Sequence, residues 1–236
     1  MNVRDEATDL VRTKIAGARP SAYSLTLNFL PAIHVAGGAA LVWLAEGAAV
    51  RCALALAWLY LLPPLVARLA IAVFGAPQGE SLTQETRAYR VWWFLTQLQV
   101  VFNRFGFLEE LLRLIPGAYP LWLNMWGAKV SPTVYWGPGV LVADRYALNV
   151  GPAVVVGTRS VLSGHLGVKD ERGEFRVTLA PVEIGSGVLI GAYAGIGPGC
   201  RIAPGEEVPA AAFLRPFTHW LHGQRVKQGA EKSGRT

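Results

Sequence analysis

Four histidines are the natural place to look for chemistry in this sequence. Histidine exchanges protons near neutral pH, its ordinary pKa lying close to 6.5. His165 stands just ahead of a charged stretch that holds Lys169, Asp170, Glu171, Arg172, Glu174 and Arg176. A histidine in such a place can serve as a general base toward a hydroxyl or an amine, provided a carboxylate orients its ring. Asp144, Asp170 and Glu171 are the carboxylates within reach of the argument, with Asp144 and Glu171 ranked first. His219 and His222 are three residues apart, which would suit one helical face, but they are read as part of an exposed terminal stretch and not as a metal pair. His34 lies inside an apolar run. Cys52 and Cys200 stand singly, outside any CxxC or ligand-like cluster, so neither a disulfide framework nor a metal site is expected.

What positions His165 is a repeat. Ile184, Ile190, Ile196, Ile202 and Val208 are spaced by six; Gly185, Gly191 and Gly197 follow the first three and Ala203 the fourth. Val182, Val188, Ala194 and Cys200 form a second register of small or branched residues. Val150, Val156 and Leu162 show the same period, with Gly151 and Gly157 behind the first two. Each hexapeptide reads as one flat side of a triangular coil. Its branched residue points inward onto its equivalent in the next coil, and the small residue after it fits the sharp corner. Such coils bury their apolar residues only by stacking, so the unit is quasi-one-dimensional. The fold expected is mainly β, a parallel β-helix over residues 116–222. The period breaks between about Ser163 and Pro181, and His165 lies in that break, a loop inserted into a rigid scaffold.

The chain ahead of the coil is of another kind. Overall 16% of residues are charged and 52% hydrophobic, against about 25% and 45–50% for an ordinary soluble chain. Residues 1–24 form a polar segment. Residues 25–115 form a membrane-associated helical region, opening with a hairpin of apolar helices at about 25–45 and 52–73, each near the roughly 20 residues that cross a bilayer core. Glu46, Gly47 and Arg51 interrupt the apolar run, Pro63-Pro64 predicts a kink, and Arg68 a snorkelling end. The competing reading is a buried hairpin in a soluble protein. Arg4 to Arg19 before the hairpin and Arg68, Arg87 and Arg90 after it place both flanks on the cytoplasmic side. Residues 81–115 carry Tyr89, Trp92, Trp93, Phe94, Leu98, Phe102 and Phe105 among polar residues. They read as interfacial helices in the headgroup region, as helices packed on the hairpin, or as ordinary amphipathic helices. Pro116-Gly117 marks the boundary to the coil, and residues 223–236 a flexible basic tail.

The stretch from His165 through Pro181-Val182-Glu183-Ile184-Gly185, Val188-Leu189-Ile190-Gly191 and Ile196-Gly197-Pro198-Gly199 resembles the hexapeptide-repeat acyltransferase superfamily, where a loop histidine precedes a P-V-x-I-G coil. Pro116-Gly117-Ala118-Tyr119-Pro120 through Trp126-Gly127-Ala128-Lys129-Val130 resembles a narrower group, the membrane-associated β-helix domains found at the C-terminus of some nonribosomal peptide synthetases. The resemblance implies a left-handed β-helix, a homotrimer with its site in the groove between subunits, and His165 as the catalytic base. It implies transfer of an acyl group from a thioester, acyl-CoA or an acyl carrier protein, to a hydroxyl or amine of a lipophilic or membrane-proximal acceptor, with no bound cofactor. Lys169, Arg172, Arg176 and Arg201 would meet the phosphates of a coenzyme A-type donor. Backbone N–H groups of the glycine-rich coil would face the developing oxyanion. The place implied is the bacterial inner membrane, with the β-helix on the cytoplasmic side. The sequence departs from the narrower group directly after His165, where Leu166-Gly167-Val168 precedes the charges.

Other classes compete less well. The formal net charge is +6, but no zinc-finger spacing or RNA-binding signature accompanies it, so anionic lipid is the expected attraction and nucleic acid is not. A γ-class carbonic anhydrase shares the coil but needs three histidines around zinc, and only His165 lies in the coil region. A non-catalytic β-helix, acting as a scaffold or accessory subunit of a membrane complex, is the alternative to the enzyme.

Overall fold

The computed structural model describes residues 20–226. Most of the expected polar segment 1–24 and most of the tail 223–236 lie outside the described residues. The chain opens with α1 (Ala22–Leu27), α2 (Leu30–Leu44), α3 (Ala48–Leu56), a π turn (Ala57–Leu61) and α4 (Leu62–Phe74). Ser21 caps α1, its hydroxyl accepting from the Ser24 N–H. The break between α1 and α2 precedes Pro31, and the π turn precedes Pro63-Pro64. Proline has no N–H and crowds the carbonyl four residues back, so the ladder widens or stops just ahead of it. Ala22–Leu44 and Ala48–Phe74 span 23 and 27 residues with mean hydropathies of 1.6 and 1.8, long and apolar enough to cross a membrane. Only 6% and 22% of their most apolar stretches are buried within the protein. Phe29, Ile33, Trp43, Leu44, Leu65 and Leu69 all point outward. Gly37 and Gly38 bring the two arms together: a Cβ on Gly38 would sit 2.6 Å from the Trp58 ring. The Trp58 indole donates to the His34 carbonyl at 2.9 Å and stacks on the His34 ring.

The region expected as interfacial helices over 81–115 packs against the apolar hairpin, one of the alternatives its sequence left open. It begins with a strand, β1 (Gly79–Leu82), and continues as α5 (Arg87–Arg104) and α6 (Phe107–Arg113). The face of α5 that carries Tyr89, Trp92, Leu95, Gln99 and Phe102 is buried. Its aromatic residues are core contacts joining hairpin to coil, since the hydrogen-bonding edge that suits tryptophan to a membrane surface suits it equally to a polar partner inside a protein. The helical region also continues past Pro116-Gly117 into α7 (Ala118–Trp126). Gly117 adopts a left-handed conformation at its start, and Tyr119, Trp122, Leu123 and Trp126 are buried.

The coil follows. Its first turn is β2 (Lys129–Val130), β3 (Tyr135–Trp136) and β4 (Leu141–Val142); its second is β5 (Leu148–Val150), β6 (Val155–Val156) and β7 (Val161–Leu162). The inserted stretch forms β8 (His165–Lys169) and β9 (Phe175–Leu179), a hairpin where a loop was expected, and β9 also pairs with β1. The third turn is β10 (Val182–Ile184), β11 (Leu189–Ile190) and β12 (Gly195–Ile196); the fourth is β13 (Arg201–Ile202), β14 (Glu207–Val208) and β15 (Phe213–Leu214). β16 (His219–Leu221) opens a fifth, and β17 (Gln224–Val226) folds back on it, so the stretch expected to be a flexible tail begins as a strand. His219 and His222 accordingly lie on a strand and its turn, not on a helical face.

Three parallel faces result: β2-β5-β10-β13-β16, β3-β6-β11-β14 and β4-β7-β12-β15. Residues in register stack inward, as in Val150, Ile184 and Ile202 on the first face and Leu162, Ile196 and Leu214 on the third. The corner glycines answer to this stacking. A Cβ on Gly157 would lie 2.5 Å from the Ala192 nitrogen of the next turn, and one on Gly185 2.5 Å from that of Pro204.

The candidate active site

Two departures from the six-residue spacing fall on the same corner, between the third face and the first. Inward-facing Val142 and Val150 are eight residues apart, and Leu162 and Ile184 are twenty-two apart. The shorter excursion contains Asp144 and Arg145; the longer contains the hairpin that starts at His165. Because the turns stack, the excursions meet: Asp144 Oδ2 lies 2.6 Å from His165 Nδ1. Gly164 allows the approach, since a Cβ there would come within 2.7 Å of the Ala147 Cβ and 3.2 Å of the Asp144 Cβ. The Ser163 hydroxyl donates to the His165 carbonyl at 2.8 Å and steadies the entry to β8.

The Asp144 side chain is fully enclosed and that of His165 is 31% exposed. A buried carboxylate must be paired and hydrogen-bonded, and Asp144 has a second partner: the Trp92 indole N–H on α5 donates to Oδ1 at 3.3 Å. The Trp92 ring also lies beside the imidazole, 5.1 Å between centroids. Burial pulls the His165 pKa down, but the hydrogen bond to Asp144 and the carboxylate's charge outweigh it, so the pKa sits above its ordinary value. With Nδ1–H given to the carboxylate, the neutral ring keeps its lone pair on Nε2, the arrangement a general base requires. Nε2 has no hydrogen-bond partner among the described residues.

Arg145, the other residue of the short excursion, is completely buried. Its guanidinium forms an ion pair with Glu109 of α6 and donates to Asn103 at 2.9 Å and Gln99 at 3.2 Å, while its backbone N–H donates to Gln99 at 2.8 Å. The Tyr119 hydroxyl and Arg113 donate to the other oxygen of Glu109 at 2.6 and 3.1 Å. The helical region thus grips the excursion at both of its buried polar residues. Among these supports, the sequence singled out Trp92 as an interfacial aromatic and Tyr119 within the stretch ahead of the coil; Asn103, Glu109 and Arg145 carried no signal there. A closer count of inward-facing positions, extended back to Val130, Trp136 and Val142, would have exposed the two-residue excursion.

His165 lines a groove of about 470 Å³ along the third face, a size that suits a small organic ligand. Val161, Leu166, Tyr193 and Phe213 give it apolar walls, with Ala194 to Gly197 along its side. The structure brings Asp144 to His165 but neither Asp170 nor Glu171, which sit at the far end of the β8–β9 hairpin. Five paired residues, His165 to Lys169, lie before that tip, and an antiparallel strand advances about 3.4 Å per residue. Asp170 is instead clasped by Arg176 at 2.9 Å and by the backbone of Arg172 and Glu174. The cations expected at a donor phosphate do not converge either. Lys169, Arg172 and Arg176 belong to the hairpin's outer part, and Arg201 pairs with Glu183 at 3.2 Å on the first face. The N–H groups of Gly195 and Gly197 donate to Ala212 and Leu214 of the next turn, so these two glycines of the groove are spent on the coil and not held for an oxyanion. A larger hollow of about 630 Å³ lies on the apolar hairpin around His34, Trp43, Arg51 and Trp58; it contains no carboxylate and is separate from the pair.

No protein-family model and no curated protein matches this chain. Among solved structures, soybean serine acetyltransferase as the apoenzyme is 15% identical, with 89% of this chain and 100% of that one covered, at a TM-score of 0.28. The serine acetyltransferase of Neisseria gonorrhoeae in complex with serine is 15% identical, with 87% and 92% covered, at a TM-score of 0.27. At that depth of likeness, the architecture rests on this chain's own strand pairing and the site on its own geometry.

Proposed function

We propose that the chain is a membrane-anchored acyltransferase of the left-handed hexapeptide-repeat type, with His165 as general base and Asp144 as the carboxylate that orients it. The observation that carries this reading is the 2.6 Å Asp144–His165 pair, with one ring nitrogen satisfied and the ring facing an apolar groove. Transfer would proceed as His165 Nε2 takes the proton of an acceptor hydroxyl or amine while its oxygen or nitrogen bonds to the thioester carbonyl carbon. The carbon–sulfur bond then breaks, and the proton passes from His165 to the leaving thiolate. The thioester is already activated, so no covalent intermediate on the protein is required. The apolar walls formed by Val161, Leu166, Tyr193 and Phe213 favour an acyl chain or a lipophilic acceptor. The two long apolar helices, mostly unburied, support anchoring in a bilayer, where such acceptors concentrate. A homotrimer, coenzyme A or carrier-protein donors, and a cytoplasmic site on a bacterial inner membrane belong to the same proposal through the sequence resemblance.

The test compares wild type with His165→Ala, both full-length in detergent, for thermal stabilisation by acetyl-CoA and longer acyl-CoAs and for release of free thiol with added alcohols and amines. Stabilisation of both proteins, with thiol release about 10²–10⁴-fold slower in His165→Ala, is the expected result. Equal rates in the two proteins would remove His165 from the chemistry. A lack of stabilisation and turnover with coenzyme A and carrier-protein thioesters alike would leave a β-helix scaffold as the better description.

A further inference from the structure

The hydrogen bond from Trp92 to Asp144 does more than fill space in the core. The Asp144 carboxylate presents its two oxygens to two different partners: Oδ1 to the Trp92 indole and Oδ2 to His165 Nδ1. An indole N–H is only ever a donor. Whatever occupies the Oδ1 position must therefore be an acceptor, and the side chain at 144 is held against rotation about its last bond. Trp92 is 3% exposed on α5, and Gln99, two turns further along the same helix, holds the backbone N–H of Arg145. The neighbouring Trp93 donates to the Ser24 carbonyl at 3.2 Å, tying α5 to the start of the apolar hairpin.

We infer that Trp92 is a positioning residue that sets the tautomer of His165 through Asp144, so that α5 of the helical region completes a site whose acting residues lie on the coil. The consequence is sharpest for asparagine at position 144. Trp92 would hold the amide oxygen on its own side and turn the NH2 group toward His165. Nδ1 must then accept, the proton moves to Nε2, and the groove-facing lone pair is lost. Without the indole donor, the amide is free to turn its oxygen to Nδ1, and the productive tautomer returns in part.

The experiment uses the full chain in detergent with ¹⁵N-labelled histidine, at alkaline pH where the ring is neutral, and His165→Gln to assign the resonances. Wild type and Trp92→Phe are expected to show His165 protonated on Nδ1, Asp144→Asn on Nε2, and the Trp92→Phe/Asp144→Asn double variant a mixture with Nδ1–H recovered. If Asp144→Asn keeps the proton on Nδ1, the inference is wrong. Should Trp92→Phe fail to fold, that single variant still decides. A folded double variant locked on Nε2–H also overturns it. Turnover is a separate arm, resting on the acyltransferase reading: a loss of about 10²–10⁴-fold in Asp144→Asn and a rise of about tenfold when Trp92→Phe is added to it. Tautomers as expected with no turnover of any thioester in wild type would sink the acyltransferase reading and leave the clamp standing.

Discussion

The corner between the third and first faces of the coil occurs four times. From Ile196 to Ile202 and from Leu214 to Trp220 it is closed within the hexapeptide spacing; no carboxylate lies between those residues, and none of Arg201, Arg215 and His219 there is buried. From Val142 to Val150 it swells by two residues, and from Leu162 to Ile184 by sixteen, and these two corners contain Asp144, Arg145 and His165. The regular corners show what a stacked repeat can do alone, which is to bury a column of branched residues and pair every strand with the next turn. That geometry leaves no room for a buried charge. The swollen corners create room, and with it a need for support, which Trp92, Gln99 and Glu109 supply from outside the coil. The regular part of the fold therefore supplies rigidity, and the irregular part supplies the candidate site at the cost of needing partners.

The strongest way to break this comparison is to remove the support. Glu109→Ala leaves the fully buried Arg145 guanidinium without its counter-charge, and loss of one member of a buried pair costs about 3–5 kcal/mol. The thermal midpoint should fall by about 10 °C, and an unchanged midpoint would mean the excursion supports itself. A smaller loss, about 1–3 kcal/mol, is expected at a regular corner from Gly157→Ala, whose new Cβ would press on the Ala192 nitrogen and the Ile190 oxygen. Chemical denaturation measures it directly, and a neutral result would show that the turns can separate.

The pH dependence sharpens the comparison further, because only the swollen corners hold a titrating pair. The pKa of His165 is raised in the folded protein. The stability contributed by its protonated pair with Asp144 is therefore fully present below about pH 6.5, the value in the unfolded chain, and is lost as pH rises through the folded value. Base activity runs the other way, rising with pH through the folded value. Melting temperature should fall modestly across the same pH window in which transfer appears, and a rate profile with its acid limb below pH 6.5 would contradict the geometry. The smallest effect is expected at the hairpin tip. Glu171→Gln should change stability by less than about 0.5 kcal/mol and leave transfer unaffected, whereas a large loss would return Glu171 to the site.

How far the sequence could be read varies from residue to residue. Ile184, Ile190, Ile196 and Ile202 announce the coil because an inward-facing position must recur once per side of the triangle, a rule local enough to be seen in one dimension. The helical hairpin is equally legible from its length and apolarity. His165 stands out as the histidine in the break of a repeat. Its partner does not, since Asp144 and Glu171 look alike as letters. Only the stacking of one turn on the next carries a residue twenty-one positions away to hydrogen-bonding distance and sends the one six positions away to the end of a hairpin.

The aromatic stretch on α5 shows the same limit from the other side. Trp92 and Phe102 read as residues suited to a membrane surface, and their sequence neighbourhood supports that, but the fold spends them inside. By itself the sequence determined the coil, the two apolar helices and the histidine, because each depends on a periodicity or a break in one. Tertiary structure alone decided which carboxylate orients that histidine, which tryptophan holds the carboxylate, and where the cations go. Those depend on distances across elements far apart in the chain, which no local pattern encodes.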